Sequence, residues 1–155
     1  MSFGIPIISK KVIAIPRLGS INLHGGISPQ YKGGNTIFWA LYNNEPELAG
    51  ATIHYMVEKV DSGEVISKVY PSIQKGDNEL SVSCKTFKDA TAEMVSIVKW
   101  MIEHDKPIPG EVQKSKGHLY LAKHRNFMKE IGGLIKIKKY IRSTQLDQRI
   151  ERFYP

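Results

Sequence analysis

One cysteine, Cys84, stands in 155 residues. An intramolecular disulfide and a zinc site built on paired thiolates are therefore both excluded, which agrees with a reducing compartment. A lone thiol of this kind is expected in the core rather than as a nucleophile. Long apolar runs are also missing: residues 5–8 and 12–15 fall far short of the roughly 20 that a membrane-spanning helix needs. No apolar leader with a cleavage site opens the chain. The expectation is a cytoplasmic protein without a membrane partner. No internal repeat and no low-complexity tract is present, and acidic residues are scarce beyond Lys106.

What is there is an ordinary globular composition, 41% hydrophobic and 24% charged, with enough chain for one sizeable core. Lys and Arg number 22 against 15 Asp and Glu, a formal net charge of +7. The excess belongs to the tail, as in Lys136, Lys138, Lys139 and Arg142. Such a tail is a solvated face or a site for something anionic, a phosphate or a nucleotide. It carries no diagnostic RNA motif, so nucleic acid is not the expected partner.

Residues 20–24 alternate Ile21 and Leu23 with polar neighbours after the turn signals Pro16 and Gly19, the period of a strand. After a Gly- and Pro-containing loop, residues 35–44 are apolar over two turns and predict a short buried helix with Asn35 as N-cap. Residues 51–57 and 64–73 alternate again around the turn Asp61-Ser62-Gly63 and predict a hairpin. Leu80, Cys84, Phe87, Thr91, Met94, Val98 and Met101 recur at steps of four and three and predict a long helix lying on the sheet, with Asp77 as N-cap and Pro107 and Pro109 ending it. Beyond Gly110, residues 119–121 predict a strand and 126–142 a helix weakened by Gly132 and Gly133. The whole predicts an α/β layer structure with one sheet packed by helices.

Residues 19–26, GSINLHGG, raise a chemical question. Side chains two apart on a strand emerge on one face, so Asn22 and His24 project together where the strand ends. If the turn at residues 57–64 folds back, Asp61 joins them. An imidazole can take or give a proton near neutrality, a carboxylate can orient it, and an amide can donate to an oxyanion. Together these suit acyl transfer to an amine.

The stretch IPRLGSINLHGGISPQYKGGNTIFWALYNNEPELAGATIHYMVEKVDSGEVI resembles the folate-dependent formyltransferases, which include the glycinamide ribonucleotide, methionyl-tRNA and sugar-nucleotide enzymes. The Asn-x-His strand end resembles Asn22 and His24, the Pro-x-Tyr-x-Gly loop Pro29, Tyr31 and Gly33, the Gly-x-Thr-x-His strand Gly50, Thr52 and His54, and the Asp-x-Gly turn Asp61 and Gly63. The resemblance covers about residues 2–103. It implies the C-terminal part of a Rossmann-like formyltransferase sheet, with mixed strands packed by helices and the N-terminal strand-helix units absent. Residues 1–105 would then be the C-terminal half of the catalytic core and 106–155 a basic extension holding a strand and a helix.

By the same resemblance the catalytic residues are Asn22, His24 and Asp61. The formyl donor is N10-formyltetrahydrofolate, received between the opening loop, with Phe3, Gly4 and Ile5, and the turn bearing Val57 and Val60. Gly25, Gly26, Tyr31 and Trp39 are expected at the acceptor, which is an amine, closest in flavour to a nucleotide sugar. No metal is implied, and His54 matches a strand position outside the triad. Where many members have His-Pro-Ser-Leu-Leu-Pro, this chain has His24-Gly-Gly-Ile-Ser-Pro29. A homodimer, or a complementing N-terminal half, is the expected protein partner. The competing expectation is a non-catalytic remnant whose basic tail binds a phosphate-rich partner.

Overall fold

A computed structural model describes residues 2–3 and 8–154. Strands β1 (Ser2–Phe3), β2 (Ile21–His24), β4 (Ala51–Tyr55), β5 (Val65–Tyr70) and β7 (Arg149–Arg152) form one mixed sheet in the order β1-β2-β4-β5-β7. Within it β1 runs parallel to β2, and the remaining pairs are antiparallel. The short strands β3 (Tyr31–Gly33) and β6 (His118–Tyr120) pair in parallel beside it. Helices α1 (Lys10–Ile13), α2 (Thr36–Tyr42), α3 (Glu79–His104) and α4 (Phe127–Ile141) complete the chain. The opening residues, read as loop from their sequence, thus include a short strand on the edge of the site strand. The extension beyond residue 105 contributes β6, α4 and β7 to the same layers.

Alternation does most of the building. Ile21 and Leu23 of β2 and Ala51 and Ile53 of β4 point to one face and pack against Ala90, Met94 and Ile97 of α3. Asn22, His24, Thr52 and His54 therefore share the opposite face. A second core joins Ile37, Phe38 and Leu41 of α2 to Val82 of α3 and Ile137 and Ile141 of α4.

The α3 stripe differs from its expected position. Buried residues are Val82, Thr86, Ala90, Glu93, Met94, Ile97 and Met101, whereas Leu80 is 72% exposed and Cys84 is exposed rather than in the core. The contact line is turned by about 100°, one residue's rotation on a helix of 3.6 residues per turn. Small Ala90 and Thr86 let the helix sit close to the sheet, and Glu93 is tolerated because Arg152 donates to its carboxylate at 2.6 and 2.9 Å and the Tyr154 hydroxyl at 2.8 Å. The N-cap is Asn78, which accepts from the Ser81 N–H at 3.0 Å in a capping box. Asp77, expected there, instead binds Lys85 at 2.7 Å. Asn35 does precede α2, but in the left-handed region with no side-chain cap bond.

Candidate active site

Strand register brings the site together. Asn22 lies directly opposite His54 and His24 opposite Thr52, so a cross-strand pair converts the Asn-x-His spacing into a four-residue polar patch. A register shift between Ile53 and His54 marks a bulge in the β4–β5 ladder beside this patch, a device that re-aims a side chain. Thr52 ties down the loop after β2: its hydroxyl donates to the Gly26 carbonyl at 2.6 Å and accepts from the Ser28 N–H at 2.9 Å.

The turn does fold back. Asp61, with φ 44°, places Oδ2 3.3 Å from His24 Nδ1 and Oδ1 3.4 Å from His54 Nε2, and Oδ2 accepts the Gly33 N–H at 2.8 Å. Gly63 makes the approach possible, since a Cβ there would stand 1.8 Å from the Tyr55 carbonyl oxygen. Two further side chains hold the turn. Gln113 donates from Nε2 to the carbonyls of Asp61 at 3.0 Å and Gly63 at 2.8 Å, and buried Lys32 donates to the Ser62 hydroxyl at 3.1 Å.

Each imidazole has its proton placed by a backbone carbonyl. His24 Nε2 lies 2.7 Å from the Tyr31 oxygen, which can only accept, so this nitrogen carries hydrogen and the neutral ring keeps its lone pair on Nδ1, toward Asp61. His54 Nδ1 likewise donates to the Tyr55 oxygen at 2.7 Å. Its Nε2 stands 3.3 Å from Asn22 Nδ2 and 3.4 Å from Asp61 Oδ1. A lone pair on that nitrogen serves Asn22, and a proton on it serves Asp61.

Burial pushes the His24 pKa below 6.5 against the opposing pull of Asp61, so the ring is neutral at neutral pH and able to accept a proton. Burial would raise the Asp61 carboxyl, but the bond from His54, the His24 charge and the Gly33 N–H outweigh it and hold the group below 3.8. Asp61 stays ionised beside a ring ready to be charged.

These groups open on a cavity of about 390 Å³. Asn22, His24, His54 and Asp61 all line it, as do Val57, Val60 and Gly25 among the expected ligand contacts; Ile8, Ile13 and Met56 add to its apolar wall. Three expected acceptor residues lie elsewhere. Gly26 sits beneath the His24 ring, where a Cβ would meet Nε2 at 2.6 Å. Tyr31 is buried, its hydroxyl between Glu45 and Asn43, and Trp39 is buried and stacked on Tyr120. Aromatic packing, not ligand contact, explains both. Phe3 contributes β1, while Gly4 and Ile5 lie outside the described residues. The cavity is also lined by Asn35, Thr36 and Phe38 around α2 and by Glu79, Ser83 and Phe87 of α3.

The sequence sets His54 at a strand position outside the triad and singles out neither Gln113 nor Lys32, yet all three reach the site or its turn. Pairing residues 20–24 with 51–57 in antiparallel register would have set His54 opposite Asn22. Gln113 and Lys32 carry no local signal, since both act across the fold. Among the described residues no cluster of His, Cys, Asp and Glu is arranged to hold a metal, and no helix is long and apolar enough to cross a membrane.

The chain is 38% identical over 76 residues to the bifunctional polymyxin resistance protein ArnA of Wigglesworthia glossinidia brevipalpis, covering 49% of this chain and 12% of that one. It is 35% identical over 102 residues to the methionyl-tRNA formyltransferase of Bacillus licheniformis, covering 66% and 32%. The chain thus spans a third or less of the length of these curated relatives. Among solved structures, the fold superposes with a TM-score of 0.74 at 22% identity on the formyltransferase PseJ from Anoxybacillus kamchatkensis, a complex with UDP-4,6-dideoxy-4-formamido-L-AltNAc and tetrahydrofolate, covering 92% of this chain and 76% of that one. With the phosphoribosylglycinamide formyltransferase of Anaplasma phagocytophilum the TM-score is 0.57 at 24% identity, covering 76% and 57%. The family described as Formyl transferase matches residues 3–98, and the chain belongs to that family.

Proposed function

We propose that this chain carries the chemical centre of an N-formyltransferase that moves the formyl group of N10-formyltetrahydrofolate to an amine, most simply the amino group of a nucleotide sugar. The observation that carries the reading is the convergence of Asn22, His24 and Asp61 on one cavity in a chain of this family. An apolar wall from Ile8, Ile13, Met56, Val57 and Val60 suits a flat bicyclic ring beside that polar floor. The sugar-nucleotide acceptor draws support from the extent of likeness to a protein crystallised with a UDP-sugar and tetrahydrofolate.

In this mechanism the amine nitrogen attacks the formyl carbon and the carbonyl electron pair moves to oxygen. The Asn22 carboxamide donates to that oxygen as charge develops, the term with the largest leverage on such reactions. His24 accepts the proton leaving the amine at Nδ1, and Asp61 stabilises the imidazolium. The carbon–N10 bond then breaks, the electron pair returns to the carbonyl, and His24 returns its proton to N10, leaving a formamide and tetrahydrofolate. His54 orients Asn22 and Asp61 and is a positioning residue.

Single-turnover formyl transfer, in this chain or in the complete catalytic unit that contains it, tests the assignment. His24→Asn should slow the chemical step by about a hundred- to ten-thousand-fold while stability is retained. A variant as fast as the native protein would remove His24 from the mechanism.

A further inference from the structure

A second cavity, of about 630 Å³, opens between the first turn of α3 and the outer part of α4. Its floor is apolar, with Ile137 and Ile141 buried beneath Leu80 and Leu134. Its rim is cationic, with Lys75, Lys138 and Arg142. The acidic groups around it are already satisfied: Asp77 is held by Lys85 at 2.7 Å, and Glu79 and Glu130 both clasp Arg125 at 2.6 Å. Glu79 and Glu130 share the one guanidinium, so a single carboxylate charge is left over against the three cations Lys75, Lys138 and Arg142, and the rim of the apolar hollow keeps a net positive charge. An anion bearing an apolar body fits that chemistry.

Phe38 and Glu79 line both this cavity and the reaction cavity. The Arg125 guanidinium lies 4.0 Å from the Phe38 ring centroid and is bonded to Glu79, so it fixes both shared residues. A ligand lying over these two shared residues borders both cavities. Resting on the formyl-transfer reading, we infer that the second cavity receives the nucleoside diphosphate of the acceptor, its phosphates on Lys75, Lys138 and Arg142 and its base against Leu80 and Leu134. The sugar then crosses Phe38 and presents its amine to Asn22 and His24. The basic tail acquires a specific task on this account: it binds the end of the acceptor that does not react, and so contributes to substrate affinity rather than to the chemical step.

Calorimetric titration of the native chain with UDP, uridine and inorganic pyrophosphate tests the site. UDP should bind, uridine should not, and pyrophosphate should bind at least tenfold more weakly than UDP. The double variant Lys138→Glu, Arg142→Glu should weaken UDP by thirtyfold or more. The double variant Lys139→Glu, Lys136→Glu makes the same charge change on α4 at positions outside the cavity lining and should leave the affinity within twofold. Absence of UDP binding, a Lys138→Glu, Arg142→Glu variant that binds normally, an equal loss with Lys139→Glu, Lys136→Glu, or pyrophosphate binding as tightly as UDP would each overturn the assignment. Folinic acid titrated into the same samples separates the two levels: loss of UDP binding with folate binding intact removes the nucleotide site alone, and the reverse removes the formyl-transfer reading.

Discussion

Replacing Gly26 with alanine puts a methyl carbon into the space that locates the reactive imidazole. The added carbon would meet His24 Nε2 and the Thr36 hydroxyl at 2.6 Å and the Tyr31 carbonyl oxygen at 2.7 Å. Ordinary contact begins at 3.4 Å, so the cradle must open by about 0.8 Å. Thr36 is itself bonded to the Gly25 carbonyl and the Tyr31 oxygen belongs to the main chain, so His24 is the group that yields. Overpacking of this kind costs about 1–3 kcal/mol, which in a domain of this size lowers Tm by about 4–8 °C at the midpoint of that range. Displacing a reactive group by about 1 Å slows its step by on the order of a hundredfold. Gly25→Ala is the control. Its methyl would meet only the edge of the Phe87 ring, at 2.8 Å, a side chain on the cavity wall whose movement narrows the cavity and raises KM more than it lowers kcat. Thermal unfolding and single-turnover formyl transfer on both variants decide the matter. Gly26→Ala with native Tm and native rate would refute the claim that this glycine seats His24.

Asn22→Asp places a carboxylate where negative charge gathers and should slow transfer by about a hundred- to a thousandfold with little change in Tm, read by the same single-turnover assay. His54→Gln removes the contact between Nε2 and Asp61 and should reduce the rate by on the order of tenfold through misplacement of its neighbours; a native rate would return His54 to a purely structural role. Because burial holds the His24 pKa below 6.5, the acid limb of the transfer rate should fall below pH 6.5, and Asp61→Asn, by removing the charge that opposes burial, should move the His24 titration seen by NMR lower still. Arg152→Met takes the two guanidinium bonds from the Glu93 carboxylate and should cost about 2 kcal/mol. Burial would raise the Glu93 pKa, but Arg152 and Tyr154 outweigh it and hold it below 4.5, so this stabilisation is present above pH 4.5 and lost as pH falls through the folded value. Denaturant titrations at pH 7 and pH 3 should show native and variant converging in acid.

Much of this molecule is written locally. Alternation in residues 20–24 and 51–57 commits those segments to strands, with Asn22 and His24 on one face of the first and Thr52 and His54 on one face of the second, because successive side chains on an extended backbone must alternate. The two glycines after His24 and the glycine after Asp61 announce tight backbone before any contact is known, since a Cβ at Gly26 or Gly63 would collide. Proline at 107 and 109 ends α3 for want of N–H groups. Residue type says what an amide, an imidazole and a carboxylate can do, whereas their assignment as a triad rests on the resemblance to the formyltransferases.

Long-range pairing decided the rest. Which face of α3 is buried depended on how closely Ala90 and Thr86 let it approach the sheet, and on an Arg152 about sixty residues away that neutralises Glu93, so counting large apolar residues turned the stripe by one position. The resemblance sets Tyr31 and Trp39 at the acceptor, yet Tyr120, brought in by β6, stacks on both and closes them off. His54 entered the site through register, and Gln113 through a return of the chain to a turn fifty residues earlier. An isolated segment has no means of stating these facts. Hydrogen-bond register, close packing and the burial of charge are properties of two segments at once, and their energies exist only when both are in place.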